Sequence, residues 1–287
     1  MKNKDKKTVE REIATAAYKE VMAIIENHTK RDGEDTVPYF APDCLEAVCD
    51  EIEAMFEENF GVKTVSPKNI DALSWAEIDA IAKSGNAERY FNVGDVKNIT
   101  LYTGERVGVV ILGFNHDVLS VDGSASDTAA GITFGLKDVL DGEYEMNEDF
   151  GNCGGWVKSK MRNVYMPRFL KLLPADLQEV VKPVVKLTGA GGGSDDVVST
   201  DDKLFLLSQV EVIGDSTYTA DSEGEQYEYF KQDENNTIKR RGGSAVTWWL
   251  RSPSTTGSTD FRGINTAGGV NGGGASGARG VSVGFCI

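Results

Sequence analysis

Residues 247–287 read TWWLRSPSTTGSTDFRGINTAGGVNGGGASGARGVSVGFCI, and this stretch decides the fold. Trp248 and Trp249 are so large that a stable domain must bury at least one of them. Val281, Val283 and Phe285 alternate as the inward side of a half-buried strand does. The chain therefore returns to the core after the glycines. Gly/Ser linkers join domains or trail from an end, whereas residues 254–280 lie between two core elements. That position predicts a long, ordered surface loop, and such loops carry function.

Working back toward the N-terminus, LFLLSQVEVIG has the apolar content of a strand, as does the closing VSVGFCI. TGAGGGSDDVVSTDD, rich in glycine and aspartate, reads as a surface loop with little structure of its own. Its Asp195, Asp196, Asp201 and Asp202 offer the oxygens a calcium ion would want, against the plainer alternative of a solvated acidic loop. GGWVKSKMRNVYMPRFLKLL and PADLQEVVKPV carry helical spacing, with Pro174 at a permitted helix start. FNVGDVKNITLYTGERVGVVILGFNH has β-branched runs separated by turn signals and predicts a hairpin. Ser74 and Glu77 have the spacing of a capping box before a short helix over 75–84 that ends at Gly85. Upstream, Val9, Ile13, Ala17, Val21, Ile24 and Ile25 form one helical stripe; Leu45, Val48, Ile52, Met55 and Phe56 form another, ending at Gly61. The expected class is α+β, with residues 1–73 a helical attachment or oligomerisation region and residues 74–287 the main domain.

Composition limits the partners. Forty-five acidic against 30 basic residues give a formal charge of -15, which disfavours nucleic acid and anionic lipid. The opening MKNKDKKTVERE lacks the apolar core of a signal peptide, and no run approaches the ~20 apolar residues of a membrane span. Cytoplasmic synthesis without a signal peptide and no membrane insertion are expected. Cys44, Cys49, Cys153 and Cys286 show no CxxC pair and read as reduced, mostly buried thiols; no metal and no cofactor is expected. Of the two histidines, His28 lies on the first helix and His116, in GFNHD, reads as a structural turn residue. No nucleophile elbow is present, and GAGGGS lacks the Lys-Ser/Thr of a phosphate loop.

WWLRSP, the Gly/Ser/Asn/Thr-rich stretch and the closing GVSVGFCI, preceded by YFNVGD, ITFGLKD, GGWVKSKMR, LPADL and DKLFLLSQVEVIG, resemble a bacterial and phage family that includes variable proteins of diversity-generating retroelements. The resemblance spans roughly residues 74–287. It implies a C-type-lectin-like domain whose C-terminal surface binds a ligand. It also implies that error-prone copying at adenines turns AAC codons into any NNC codon. NNC codons cannot encode Lys, Glu, Gln, Met or Trp. Those five types occur 55 times in residues 1–253, so about seven would fall in the final 34 residues at equal frequency. None does. A tight loop that excludes long side chains is the competing explanation, since ten of the 32 glycines lie beyond residue 253.

Under the resemblance the diversified, ligand-contacting positions are Ser254, Thr256, Gly257, Thr259, Asp260, Gly263, Asn265, Thr266, Ala267, Gly269, Asn271, Gly272, Gly273, Gly274, Gly277 and Arg279, joined by Arg262 as a strong anchor. Phe261, Ile264, Val270 and Ala275 read as fixed, inward-facing residues; Trp248, Trp249, Arg251 and Phe285 read as scaffold. The expected function is host recognition by a phage or prophage component, virion-associated, with a host-surface molecule or protein as partner and a homo-oligomer formed through the N-terminal helices. A non-diversified intracellular binding module is the alternative. A formylglycine-generating-like enzyme is a third, disfavoured because only Cys286 lies near the C-terminus. EPN, QPD and WND, the calcium-dependent sugar signatures of lectins, do not occur.

Overall fold

The computed structural model divides the chain into two units, Met1–Lys68 and Asn69–Ile287, and describes residues 68–287 together with Lys19, residues 21–24, Ile52 and Met55. In the first unit Lys19, residues 21–24, Ile52 and Met55 are helical, and Ile24 and Met55 are buried with Val21 and Ile52 packed against them. The remainder of the two expected helices, and the oligomerisation role given to them, lie outside the described residues.

The second unit opens with α1, Trp75–Lys83. Ser74 and Glu77 form the expected capping box: the Ser74 hydroxyl accepts from the Glu77 amide and the Glu77 carboxylate accepts from the Ser74 amide at 2.8 Å. Trp75, Ile78 and Ala82 face the core. Next come β1, Val96–Thr100, and β2, Arg106–Phe114, the expected antiparallel hairpin. β3 (Val118–Val121), β4 (Ser124–Ala129) and β5 (Ile132–Leu136) follow. The stretch read as one helix breaks into α2 (Gly155–Lys158), a π-turn at Met161–Tyr165 and α3 (Met166–Leu170); α4 is Ala175–Val180, with Pro174 as its N-cap. Then come β6 (Val184–Gly191), β7 (Ser194–Asp202), β8 (Leu204–Leu206), α5 (Gln209–Ile213) and α6 (Glu228–Gln232). The chain ends with β9 (Arg240–Arg241), β10 (Ser244–Ala245), β11 (Trp248–Pro253), β12 (Asp260–Ile264), β13 (Val270–Gly274) and β14 (Val283–Cys286).

The class is α+β. A five-stranded sheet runs β1-β2-β5-β14-β8 and a four-stranded one β4-β3-β6-β7, with smaller sheets β11-β12-β13 and β10-β9. β14 sits between β5 and β8, antiparallel to both, so the last strand is an interior one. On it Phe285 stacks on Phe134 at 5.3 Å, and Trp75 meets both rings edge-on. These contacts tie α1, β5 and the C-terminal strand into one core.

Three expectations need correction. TGAGGGSDDVVSTDD is the β6-β7 hairpin, not a structureless loop: Gly192 and Gly193 at φ +70° and +79° make the two-residue turn that left-handed residues allow. Its inward residues are polar, which hides the alternation. Asp202 is buried, accepting from Trp156 Nε1 at 2.8 Å, Thr200 Oγ1 at 2.6 Å and Arg162 Nε at 2.7 Å. Ser120 occupies Asp201, and no group of three His, Cys, Asp or Glu side chains is placed to hold a metal among the described residues. LFLLSQVEVIG is half strand, half helix, because Ser208 and Glu211 form a second capping box and Gly214, at φ 76°, stops the turn. Residues 254–280 are not a loop throughout, since they contain β12 and β13.

Candidate binding surface

β11, the expected scaffold strand, is buried along its whole length. Its tryptophans are fully buried: Trp248 Nε1 donates to the Thr237 carbonyl at 3.0 Å and Trp249 Nε1 to the Tyr144 carbonyl at 2.8 Å. From this anchor the chain makes the β12-β13 excursion and comes back to where it left. Gly280 bridges Trp248, and the Trp249 amide donates to the Gly280 carbonyl at 3.0 Å.

One side of this small sheet carries a cross-strand row of Trp249, Gly263 and Asn271. The Arg279 side chain lies across it. Its guanidinium sits over the Trp249 ring at 4.2 Å, Nη1 donates to Asn271 Oδ1 at 2.9 Å, and Nη2 donates to the Gly272 carbonyl at 2.8 Å. A β-carbon at Gly263 would stand 2.5 Å from Arg279 Nη1 and 2.6 Å from the Trp248 carbonyl oxygen; one at Gly273 would stand 2.1 Å from Nη2. Burial pushes the Arg279 guanidinium pKa down.

The other side carries Asp260, Arg262, Gly272 and Gly274 by the strand alternation. Arg262 Nε donates to Gln209 Oε1 at 2.9 Å, and its guanidinium lies 5.4 Å from the centre of the Tyr218 ring. Tyr218 is held at φ 68°, an uncommon conformation for a residue with a side chain, and is 55% exposed. The ring of Phe150, 62% exposed, lies against Gly274. Large aromatics and arginine dominate binding energetics, and both of these aromatics come from outside residues 254–280.

Of the positions singled out in the sequence, Thr256, Thr266, Ala267, Gly269, Gly272 and Gly277 are exposed. Gly257, Thr259, Asp260, Arg262, Asn265, Asn271, Gly273, Gly274 and Arg279 are half-buried. Ser254 and Gly263 are buried, which corrects their reading as exposed positions. Phe261, Ile264 and Ala275 are buried and Val270 half-buried.

Asn152 was not legible in the sequence. It is fully buried, and its Nδ2 faces the carbonyls of Ser254 (3.3 Å), Gly257 (3.1 Å) and Asp260 (2.8 Å), while its Oδ1 accepts from the Gly192 amide at 2.8 Å. One amide thereby pins residues 254–260 to the β6-β7 turn.

Beneath β11 lies a buried charge network. Arg251 donates from Nη1 and Nη2 to the two Glu211 oxygens, from Nε to Thr188, and to the carbonyls of Leu206, Leu187 and Glu223. Lys186 Nζ pairs with both Asp117 and Glu211 at 2.5 Å. Burial alone would push both carboxyls up, but Lys186 beside Asp117, and Arg251 and Lys186 beside Glu211, hold them below the ordinary range. Two cations and two anions thus balance. Glu223, contacted by the Gly189 amide and the Ser252 hydroxyl, is pushed up to about 7 by burial. The His116 ring lies 4.1 Å from the Tyr227 ring, tilted by 33°, and both its ring nitrogens are buried without a hydrogen-bond partner among the described residues.

Cys286 is buried as expected, and burial pushes its thiol up; Cys153 is exposed, and Cys44 and Cys49 lie outside the described residues. Hollows lined by Glu105, Arg106 and Arg240, or by Asn147, Cys153 and Lys158, lie outside residues 254–280. No helix among the described residues is long and apolar enough to cross a membrane. The family model described as Domain of unknown function (DUF6273) matches residues 130–287. No curated protein and no solved structure matches the chain.

Proposed function

We propose, from the premise that this chain belongs to the DUF6273 family, that it is a ligand-binding protein whose residues 254–280 form a diversified recognition surface on a C-type-lectin-like domain. The observation that carries the reading is the closure of the excursion: Trp248 and Gly280 are paired, so the chain leaves and re-enters the core at one place, while Asn152 and the buried Phe261, Ile264 and Ala275 hold its inner side fixed. Substitution at the outward positions then changes the surface and leaves the core packing alone. The absence of Lys, Glu, Gln, Met and Trp after residue 253 agrees with replacement through NNC codons. In this reading the protein is a host-recognition component of a phage or prophage particle. It meets a host-surface molecule or protein, is not an enzyme, and does not engage nucleic acid or insert into a membrane.

A second reading has its own support. Gly263 and Gly273 leave the room that Arg279 fills, so some of the glycines serve geometry, as a fixed intracellular binding module would require. Deep sequencing of the encoding gene across a population separates the two. Variation confined to codons 254–280, with a near-identical repeat and a reverse transcriptase gene nearby, supports the diversified surface. An invariant 3′ end without a repeat rejects it in favour of the fixed module.

A further inference from the structure

We infer that the outer edge of β13 receives an extended peptide segment bearing carboxylate side chains, added as a fourth strand beside β11-β12-β13, with Arg262 and Arg279 meeting its acidic groups. The inference rests on the reading of residues 254–280 as a binding surface and names the class of partner.

Among the described residues β13 has a strand neighbour on one side only. The Ala275 amide donates to the Thr259 carbonyl and the Asn265 amide to the Gly269 carbonyl, which sets the phase of the ladder. In an antiparallel pair the hydrogen-bonded residues alternate, so Asn271 and Gly273 face β12, and the backbone groups of Val270, Gly272 and Gly274 turn away from it. Two of those groups are engaged: the Gly272 carbonyl by Arg279 and the Gly274 carbonyl by the Gly277 amide. The Val270 amide and carbonyl and the amides of Gly272 and Gly274 have no hydrogen-bond partner among the described residues.

Natural sheets guard such edges with proline, lysine or a bulge. VNGGG contains no proline and no charge, and its register with β12 is unbroken. A strand laid along it finds donors at Val270 and Gly272 and an acceptor at Val270. Charge then selects the strand. Acidic residues outnumber basic ones 45 to 30 in this chain, yet Arg262 and Arg279 both point at Gly272 and neither has a carboxylate within ion-pair distance among the described residues. The Asp260 carboxylate, beside the Gly272 position, acts on both through space without pairing with either, so the two guanidinium charges exceed it by one. Each is already oriented by side-chain hydrogen bonds and an aromatic ring, and each keeps N–H groups for a carboxylate.

The test uses the full chain and fluorescein-labelled peptides of about eight residues repeating Glu-Glu-Val-Val, Gln-Gln-Val-Val or Lys-Lys-Val-Val (hereafter Glu-Val, Gln-Val and Lys-Val), so that both faces of the strand carry the polar group, read by anisotropy. The Glu-Val peptide is expected to bind about tenfold or more tightly than Gln-Val, and Arg262→Gln and Arg279→Gln each to remove about that factor. Arg262→Gln keeps the test decisive should Arg279→Gln fail to fold. N-methylation of every second peptide amide should abolish binding in one phase and spare it in the other. Glu-Val binding no tighter than Gln-Val, or equal loss with both methylation phases, overturns the inference. If Gln-Val or Lys-Val binds best and protects residues 270–274 from hydrogen exchange, the acidic class falls while the recognition surface stands. If no peptide binds, strand addition falls, and the surface reading is judged by the gene sequencing alone.

Discussion

Arg251 and Glu211 meet in a two-pronged pair, Nη1 to Oε2 at 2.5 Å and Nη2 to Oε1 at 2.8 Å, with neither side chain more than 1% exposed. Removing one member of a buried pair leaves the other charge unmatched, which typically costs roughly 3–5 kcal/mol. Arg251→Met should lose that amount in urea unfolding. Arg251→Lys should not restore it, because one ammonium cannot hold the Glu211 carboxylate and the carbonyls of Leu187, Leu206 and Glu223 together. A cost below about 1 kcal/mol for Arg251→Met would contradict this and show that Lys186, also paired with Glu211, holds the carboxylate without Arg251.

Asn152→Ala strips three carbonyls and one amide of their shared partner. The expected cost is about 1–3 kcal/mol. Hydrogen exchange should quicken at the Ser254 amide and stay slow in β14. Uniform acceleration across both would make Asn152 a general core residue rather than the pin of this segment.

Two buried groups set opposite pH slopes. Glu223 has a folded value of about 7 against an ordinary 4.5, so its contribution is complete below pH 4.5 and is lost as pH rises through 7; the size is about 3 kcal/mol. Lys239, buried with its Nζ on the Leu136 and Lys137 carbonyls, is pushed down from 10.5 to about 7, so the unfolded chain holds the extra proton between those values and stability rises again over that range. The urea midpoint should therefore pass through a minimum near pH 7. Glu223→Gln should flatten the limb below it and Lys239→Met the limb above. Asp117 and Glu211, held low, remain charged in this window and weaken the fold only as pH falls through the unfolded carboxylate range. A profile that rises steadily from pH 5 to 9 would contradict the assignment to Glu223.

Tolerance should follow burial within residues 254–280. Thr266→Tyr, at an exposed position, should change stability by no more than about 0.5 kcal/mol. Gly263→Ala forces a methyl against the Trp248 carbonyl and Arg279 and should cost about 1–3 kcal/mol. Chemical denaturation of the two variants side by side checks this, and equal costs would contradict it.

The parts of the fold that announce themselves in the sequence are those whose signals are local. The Ser74–Glu77 box, the alternation that ends at Phe285 and the β1-β2 turn each concern residues a few places apart. β7 stayed hidden because its inward residues are Thr200 and Asp202, so its pattern is polar where a strand is expected to be apolar. α5 was masked by its apolar run, although its Ser208–Glu211 box has the same spacing as the one that identified α1. For the surface, Arg262 and Arg279 were visible by type. Asn152, Phe150 and Tyr218 were not, since nothing near them in the sequence says that they will meet residues more than forty places away.

The pairing of Trp248 with Gly280 bears on length as well as composition. Within the excursion, β12, β13 and Ala275 are fixed by pairing and burial, but residues 276–278 are exposed, and doubling a flexible loop there adds only about 0.6 kcal/mol of closure entropy. The excursion is thus a cartridge with one adjustable joint: copies longer by several residues at positions 276–278 can be seated in the same socket, provided the chain still enters through the tryptophans and leaves through Arg279 and Gly280.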